Sequence, residues 1–173
     1  MKRVIIAIVG ESGSGKTEMS RYLQEMFGVE SVVSYTTRPM REGETEGVEH
    51  YFVKSSEGFD KEQMLAYTVF GGHEYWTMRS QIKFGKAYSY VIDEKGLKYL
   101  KSKFKDRYTV VPVYVRRKDR DSIDEERKLR DGDRDILPER SYLEIIDNDS
   151  TLEEFHNKID KFIEHGNRRI KGK

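Results

Sequence analysis

A short apolar run that leads directly into a glycine-rich segment constrains the fold of this chain more than any other feature. Val4 to Val9 is apolar and rich in β-branched residues, which is typical of a strand buried on both faces of a parallel sheet. From about Lys16 to Phe27 the apolar residues recur at helical spacing, and Gly28 follows as a stop signal. The order of strand, glycine loop and helix therefore predicts an α/β domain with this strand at its centre.

The loop between the strand and the helix has the composition of a phosphate-binding site. Its residues are Gly10, Glu11, Ser12, Gly13, Ser14, Gly15, Lys16 and Thr17. Backbone N–H groups that converge at a helix N-terminus bind anions, and glycines let the backbone wrap closely around a phosphate. Lys16 can reach the β- and γ-phosphates, and the Thr17 hydroxyl can ligate a bridging Mg²⁺. We therefore predict a P-loop that binds ATP with Mg²⁺; the alternative is a glycine turn that matches the pattern by chance.

Composition excludes several other classes of protein. The 173 residues suit one domain, and 32 basic against 31 acidic side chains give a net charge of only +1, so no nucleic-acid partner is expected. There is no cysteine and no run of roughly 20 apolar residues, so neither a disulfide framework nor a membrane partner is expected. The apolar run near the N-terminus is too short for a signal peptide, and we expect a cytoplasmic protein.

The remaining pattern predicts a three-layer α/β/α fold around a mostly parallel central sheet. Further strands are expected at Val32-Val33, Val48 to Val53, Tyr67 to Phe70, Tyr88 to Ile92, Tyr108 to Val115 and Ile145-Ile146. Helices are expected at Met78 to Phe84, Lys95 to Lys103 and Thr151 to Ile163. The segment Asp119 to Arg134 is almost wholly charged, so it has little to bury and should be a mobile, exposed element.

A second segment resembles the monophosphate-binding region of guanylate kinases. It reads Ser34-Tyr35-Thr36-Thr37-Arg38-Pro39-Met40-Arg41-Glu42-Gly43-Glu44, and Gly47 and Tyr51-Phe52-Val53 follow. The resemblance implies that Ser34, Arg38 and Arg41 hold the phosphate of an acceptor GMP. Two guanidinium groups around a short loop suit a dianion, because each can donate paired, charge-assisted hydrogen bonds. Without the resemblance, the same arginines could be ordinary surface residues.

The resemblance continues through most of the chain and implies further roles. Tyr75 falls where the family contacts the acceptor phosphate, Thr77 and Asp93 where it contacts or lies near the guanine, and Asn148 where it contacts the donor purine. Each has a plainer alternative: Tyr75 could be a packing aromatic, Asp93 a helix cap, and Asn148 part of an ordinary turn. The implied organisation is a single domain, 1–173, with a core of 1–33 and 86–173. A small monophosphate-binding subdomain spans about 34–85, and a short lid about 116–144.

Three departures from the family pattern affect the predicted substrate and Mg²⁺ sites. His50 stands where the family has a tyrosine that touches the acceptor phosphate, and Tyr51 follows one place later. Val69 aligns with the glutamate that reads the guanine edge, which leaves Glu74 as the nearest replacement. Val91 replaces an aspartate before Asp93 and weakens the case for a second carboxylate near Mg²⁺. A site that lacks a polar side chain to hydrogen-bond the base edge discriminates less between bases.

These features predict a kinase that transfers the γ-phosphate of ATP to a nucleoside monophosphate, as the guanylate kinase resemblance implies. Catalysis would rest on placing the reactants in line and neutralising charge, with Lys16 and Arg38 as catalytic residues. Lid arginines would close over the phosphoryl group: Arg127, Arg130, Arg134 and Arg140 are candidates, and Arg130 and Arg140 fit the family spacing best. A kinase for another monophosphate or small phosphorylated metabolite, and a non-catalytic nucleotide-binding module, are the alternatives.

Overall fold

The computed structural model describes residues 3–104, 106–119, 121, 123–132 and 134–171, without the side chains of 126, 130 and 167–171. The strands are β1 (Arg3–Val9), β2 (Glu30–Ser31), β3 (Ser34–Thr36), β4 (His50–Phe52), β5 (Met64–Phe70), β6 (His73–Met78), β7 (Ala87–Val91), β8 (Tyr108–Arg116) and β9 (Glu144–Asp147). The helices are α1 (Lys16–Phe27), α2 (Glu94–Phe104), α3 (Glu125–Gly132) and α4 (Leu152–Lys171).

The central sheet is parallel throughout and has the order β2-β7-β1-β8-β9. Its middle strand, β1, is buried from Ile5 to Val9, because both of its faces are covered by helices. One face packs against α1 and α4 through residues such as Leu23 and Phe155, and the other packs against α2 through Leu97 and Leu100. The predicted three-layer α/β fold is confirmed. Among the described residues, no helix is long and apolar enough to span a membrane.

A second, four-stranded sheet has the order β4-β3-β6-β5 and lies beside the core. Strand β6 pairs antiparallel with both β3 and β5, whereas β3 and β4 are parallel. One face carries an aromatic cluster in which Trp76 is fully buried and stacks on Tyr35 with ring centroids 5.7 Å apart. Aromatic packing of this kind stabilises a sheet that is too small to bury a large aliphatic core.

Two sequence predictions next to this sheet are wrong. The predicted helix from Met78 to Phe84 is absent: β6 runs to Met78, and only a 3-10 turn at Arg79–Gln81 follows. Strand β2 comprises Glu30–Ser31 rather than Val32-Val33, although the Val32 N–H still donates to the Ser89 carbonyl at 2.8 Å. Such short elements are set by tertiary pairing, which local apolar patterns do not encode.

The charged segment expected to be mobile and exposed is in part anchored to the core. Ile123 is only 8% exposed, and the side chains of Asp131 and Arg134 are 7% and 6% exposed. Leu129, by contrast, is open to solvent. The prediction of exposure therefore holds for the outer face of α3 and is wrong for the residues that point inward.

Candidate active site

The predicted nucleotide-binding residues gather at the carboxyl ends of the central strands. Gly10 follows β1, Asp93 lies just beyond β7, and Asn148 follows β9. Strands β7, β1, β8 and β9 are consecutive neighbours in the sheet. Ligands of open α/β sheets bind outside this edge, because the loops and helix N-termini that follow the strands converge there.

Two glycines of the loop are fixed by backbone conformation and close contacts. Gly13 has φ 73°, and a Cβ added to it would lie 1.8 Å from Ile123 Cδ1. Gly15 caps α1 with φ 108°, and its added Cβ would lie 2.5 Å from Asn148 Nδ2. Positive φ angles are costly for residues with a Cβ. The spacing of these glycines therefore reflects real steric limits in the loop.

Polar groups around the loop hold it in a curved shape. The Lys16 ammonium donates to the Glu11 carbonyl at 2.6 Å, which spans the loop. Asn148 Nδ2 donates to the Ser14 carbonyl at 2.9 Å, so Asn148 supports the loop directly in this conformation. Thr17 lies in the first turn of α1 with its side chain exposed. All the predicted loop residues are thus brought together with Asn148.

A carboxylate from the lid rests on the loop, and sequence reasoning missed it. Both Asp131 carboxylate oxygens accept from the Ser12 N–H at 3.0 and 3.1 Å, and Oδ1 also accepts from the Ser12 hydroxyl at 3.0 Å. A backbone N–H of a P-loop ordinarily donates a hydrogen bond to a phosphate oxygen. Asp131 thus makes an anionic contact of the kind that a nucleotide phosphate would make.

The lid arginines occupy different environments. Arg134 forms a buried ion pair with Glu94, whose side chain is 1% exposed; burial opposes the charge of Arg134, but Glu94 outweighs it and raises the pKa of Arg134. Arg140 is exposed in a 3-10 turn, and Arg127 pairs with Asp124 next to its own helix. The Arg130 side chain lies outside the described part of the chain. Arg134, which family spacing did not favour, is held at Glu94, the residue that follows Asp93 in the chain.

The predicted acceptor-phosphate residues form a cluster around a buried arginine. Arg38 donates from Nη1 and Nη2 to the two Glu44 oxygens at 2.9 and 2.8 Å, and from Nη1 to the Pro39 carbonyl at 2.7 Å. The Arg41 N–H donates to Glu44 at 2.7 Å. Ser34 and Arg38 are both buried. Glu44 therefore fixes both arginine positions of the segment.

Charges in this cluster shift the ionisation of Glu44. Burial acts to raise the pKa of Glu44, but hydrogen bonds from Arg38 and the Arg41 backbone, with their charges, lower it to about 2. Burial likewise opposes the charge on Arg38, and Glu44 reverses that effect and raises the pKa of Arg38. Both groups are ionised at neutral pH. Arg38 is therefore a fixed, fully charged side chain that can bind an anion.

The structure resolves the exchanged order of His50 and Tyr51. His50 is in register with Ser34, and its Nδ1 lies 2.8 Å from the Ser34 hydroxyl, whereas Tyr51 points to the opposite face and packs on Tyr35. Tyr75 meets the His50 ring edge-on at 5.7 Å. His50 therefore belongs to the acceptor cluster, and its pairing with Ser34 depends on a strand register that the sequence does not reveal.

The residues predicted to lie near the acceptor base are part of a hydrogen-bonded group of side chains. Thr77 is buried and donates to the Tyr90 hydroxyl at 3.0 Å. Asp93 accepts from the Gly96 N–H at 2.7 Å and from the Thr68 hydroxyl at 2.8 Å. Asp93 thus caps helix α2, which was the simpler of the two interpretations of this residue, and it also accepts a hydrogen bond from Thr68. Thr68 and Tyr90 are residues that sequence reasoning missed.

Val69, which aligns with the family glutamate, and Glu74, its nearest replacement, do not face this group. They are cross-strand partners and share a face of the sheet. Glu74 accepts from the Ser56 hydroxyl at 2.6 Å and from the Tyr67 hydroxyl at 2.7 Å. Thr68 and Ala66 both point to the opposite face of the sheet. No carboxylate stands at either of these two β5 positions.

The residues present fit a Mg²⁺ ion that is held mainly by phosphates. No group of three or more His, Asp or Glu side chains able to hold a metal occurs in the described residues. Mg²⁺ bound with nucleotides commonly takes one or two protein oxygens, substrate oxygens and water. The exposed Thr17 hydroxyl at the start of α1 is an oxygen donor of this type.

Comparison with known proteins agrees with this geometry. The profile of the family described as guanylate kinase matches residues 1–166. The chain is 29% identical to a guanylate kinase of Helicobacter pylori (strain ATCC 700392 / 26695) over 159 residues, which cover 87% of this chain and 76% of that protein. It is 32% identical to a guanylate kinase of Legionella pneumophila (strain Paris) over 166 residues, with 81% and 77% covered.

A solved structure gives the same result for the fold. The crystal structure of guanylate kinase from Anaplasma phagocytophilum superposes with a TM-score of 0.71. The match covers 95% of this chain and 87% of the other, at 21% identity. The two chains therefore share the fold over nearly their whole length.

Proposed function

Because the chain belongs to the guanylate kinase family, we propose that it transfers the γ-phosphoryl group of ATP to GMP and produces ADP and GDP. The observation that carries the proposal is the pairing of a glycine-constrained phosphate loop with a second, separate anion site built on Arg38. A nucleotide-binding module that is not an enzyme has no need of the second site.

The chain's own residues account for binding and charge neutralisation. The loop N–H groups and Lys16 hold the donor phosphates, and Arg38, Arg41 and Ser34 hold the acceptor phosphate with Tyr75. Mg²⁺, bound through Thr17 and the phosphates, would neutralise charge on the donor. Placing the two anions in line converts a two-molecule reaction into one within a single complex. Asn148, on the loop, is proposed to contact the donor purine.

Lid arginines complete the charge neutralisation. Arg130 and Arg140 fit the family spacing best, and Arg134, which is also a candidate, is favoured by its ion pair with Glu94, the neighbour of Asp93 in the chain. Closure of the lid over bound ATP would exclude water and so protect ATP from hydrolysis.

Guanine selection is assigned to Asp93 and Thr77, with Thr68 and Tyr90 as their partners. A second candidate acceptor, another nucleoside monophosphate, is favoured by one observation: Ala66 and Thr68 offer no carboxylate to the base. A panel of GMP, AMP, CMP, UMP and IMP with ATP separates the two. The cytoplasm remains the predicted location.

Two substitutions test the proposal. Lys16→Ala should reduce turnover by at least about a hundredfold, because it removes a charge that stabilises the transition state. Arg38→Ala should raise KM for GMP about ten- to hundredfold, the loss of one or two charge-assisted hydrogen bonds, with little change in KM for ATP. Lys101→Ala and Arg107→Ala, at exposed positions, serve as controls. Transfer to GMP at the wild-type rate by the Lys16 variant would refute the mechanism.

A further inference from the structure

A buried ion pair joins the lid to the start of α2. Glu94, the first residue of α2, directly follows Asp93, and its Oε1 accepts a hydrogen bond from Nη2 of Arg134. The two side chains are only 1% and 6% exposed. The removal of one partner from such a pair leaves the other charge buried alone, which is costly. Glu94 therefore fixes where the Arg134 guanidinium lies.

The same guanidinium faces the carboxylate that covers the phosphate loop. Nη1 of Arg134 lies 4.0 Å from Oδ1 of Asp131, and that oxygen accepts hydrogen bonds from the Ser12 N–H at 3.1 Å and from the Ser12 hydroxyl at 3.0 Å. Loop N–H groups of this kind bind phosphate oxygens. An anion bound to Ser12 in place of Asp131 would therefore lie beside Arg134.

We propose that Glu94 is a positioning residue for phosphoryl transfer: it holds the Arg134 guanidinium next to the Ser12 N–H, where the terminal phosphate of ATP replaces the Asp131 carboxylate. The inference rests on the proposed function and assigns a role in it to Glu94. Asp131 lies in α3, which ends at Gly132, whereas Arg134 follows that helix. Asp131 can thus withdraw with α3 while Glu94 keeps Arg134 in place.

The positioned arginine would act on the charge that moves during transfer. The bond between the γ-phosphorus and the β–γ bridging oxygen of ATP breaks, a bond to an oxygen of the acceptor phosphate forms, and negative charge is spread over the transferred group. A cation that is already in place stabilises this charge without rearrangement. Burial opposes the charge on Arg134, and Glu94 more than offsets that effect. Glu94 therefore allows a buried cation to stand in a site that closure of the lid would shield from water.

Separate and combined substitution of the two partners tests the proposal through kcat. Arg134→Ala removes the cation and should lower kcat for transfer from ATP to GMP by at least about a hundredfold. Glu94→Gln leaves the cation without its buried partner and should lower kcat about tenfold or more, because a displaced group loses much of its effect on the reaction. The double variant should be within about threefold of Arg134→Ala, since Glu94 acts through the arginine. KM for either substrate should change less than kcat.

Free guanidinium separates a positioned charge from a tether between the lid and α2. Guanidinium chloride, added well below the concentrations that unfold the protein, should raise kcat of Arg134→Ala by at least about tenfold. It should not raise kcat of the Glu94→Gln/Arg134→Ala variant, which lacks the carboxylate that would hold the cation. A free cation cannot tether the lid, so a rescue that requires Glu94 identifies positioning.

Asp135→Asn is the matched control, because Asp135 forms an exposed ion pair with Lys98 that joins the same two segments. It should leave kcat unchanged. Circular dichroism and Kd for ATP check the folding of each variant. If Glu94→Gln alone does not fold, the response of the two arginine variants to guanidinium decides, since the double variant buries neither charge.

Four results would overturn the role of Glu94. They are wild-type kcat in Glu94→Gln, an equal response of the two arginine variants to guanidinium, a loss in Asp135→Asn as large as in Glu94→Gln, and a double variant that multiplies the two single losses.

The wild-type protein distinguishes the two levels of failure. If wild type phosphorylates GMP and one of these results is obtained, only the role of Glu94 is wrong. If wild type instead uses another monophosphate, the acceptor is wrong, and the same variants assayed with that monophosphate decide the role of Glu94. If it transfers phosphate to no monophosphate, both are refuted.

Discussion

In the proposed acceptor site, single side chains would exchange partners when substrate binds. Arg38 is already paired with Glu44, so a phosphate that approaches it would have to share or displace a carboxylate that is ionised. The energy of binding is then the difference between two ion pairs. This favours a dianionic phosphate over a monoanionic ligand.

The same residues make stability depend on pH in two windows. The folded-state pKa of His50 is lowered from 6.5 to about 4, so its contribution is present above pH 6.5 and is lost as the pH falls towards 4. The pKa of Glu44 is lowered from 4.5 to about 2, so its contribution to stability is lost as the pH falls from 4.5 towards 2. Urea unfolding across pH should show the free energy of unfolding decline through both windows. His50→Gln should flatten the upper window only, and an unchanged slope there would contradict the assignment.

Thr68 is expected to position Asp93 for the base. Thr68→Val removes the hydroxyl that donates to Asp93, and we expect KM for GMP to rise about three- to tenfold, in line with one charged hydrogen bond. KM for ATP should not change. Thr68→Ser keeps the hydroxyl and should restore KM for GMP. If serine and valine behave alike, the hydroxyl has no role in acceptor binding.

At the scale of elements, the Asp131 carboxylate of the lid and a nucleotide phosphate would compete for the same N–H donor of the phosphate loop. Asp131 occupies the Ser12 N–H, and a bound phosphate would place negative charge beside that carboxylate. Ile123 packs over Gly13 from the same segment. We therefore expect the lid to shift on the loop when ATP binds, with part of the binding energy used to release Asp131.

Removal of the Asp131 charge should strengthen nucleotide binding. Asp131→Asn keeps the size of the side chain and removes its negative charge, so we expect Kd for ATP to fall several-fold, up to about tenfold. Fluorescence titration with a labelled ATP analogue measures this directly. Glu125→Gln, on an exposed side chain of the same helix, is the matched control. Weaker binding by the asparagine variant would mean that Asp131 supports the loop and does not compete for it.

Long periodic elements could be predicted from sequence, and short paired ones could not. The glycine motif and the apolar spacing located β1 and α1, and Asp93 was correctly placed beyond β7. The family alignment points to Val69, whereas its neighbour Thr68 is the residue that contacts Asp93, and a shift of one residue reverses the face of a strand. The contacts of Asp131 and Arg134 join segments far apart in sequence, so no local pattern in a charged stretch could indicate them.

For the whole molecule, the single tryptophan reports on the smaller sheet. Trp76 is buried there, whereas α1, α2 and α4 belong to the core. The Thr68–Asp93 hydrogen bond joins the smaller sheet to the turn between β7 and α2, and α2 packs against β5. We therefore expect urea unfolding followed by Trp76 fluorescence and by far-ultraviolet circular dichroism to give coincident midpoints. An earlier fluorescence midpoint would show that the smaller sheet unfolds separately, and added GMP should then stabilise that transition.

The chain leaves the central sheet after β2 and returns at β7, and these two strands are paired neighbours, Glu30 with Tyr88 and Ser31 with Ser89. Gln81 donates to the Val33 carbonyl at 2.7 Å, so the outgoing and returning segments are also tied to each other. The segment between them thus begins and ends at neighbouring strands, and it also contacts the core through the Thr68–Asp93 hydrogen bond and the packing of α2 against β5. An engineer could therefore exchange residues 32–86 for the equivalent region of a relative as a cassette, with Asp93 and the contacting face of α2 matched to it, and so transplant acceptor preference while the donor half of the protein keeps its own sequence.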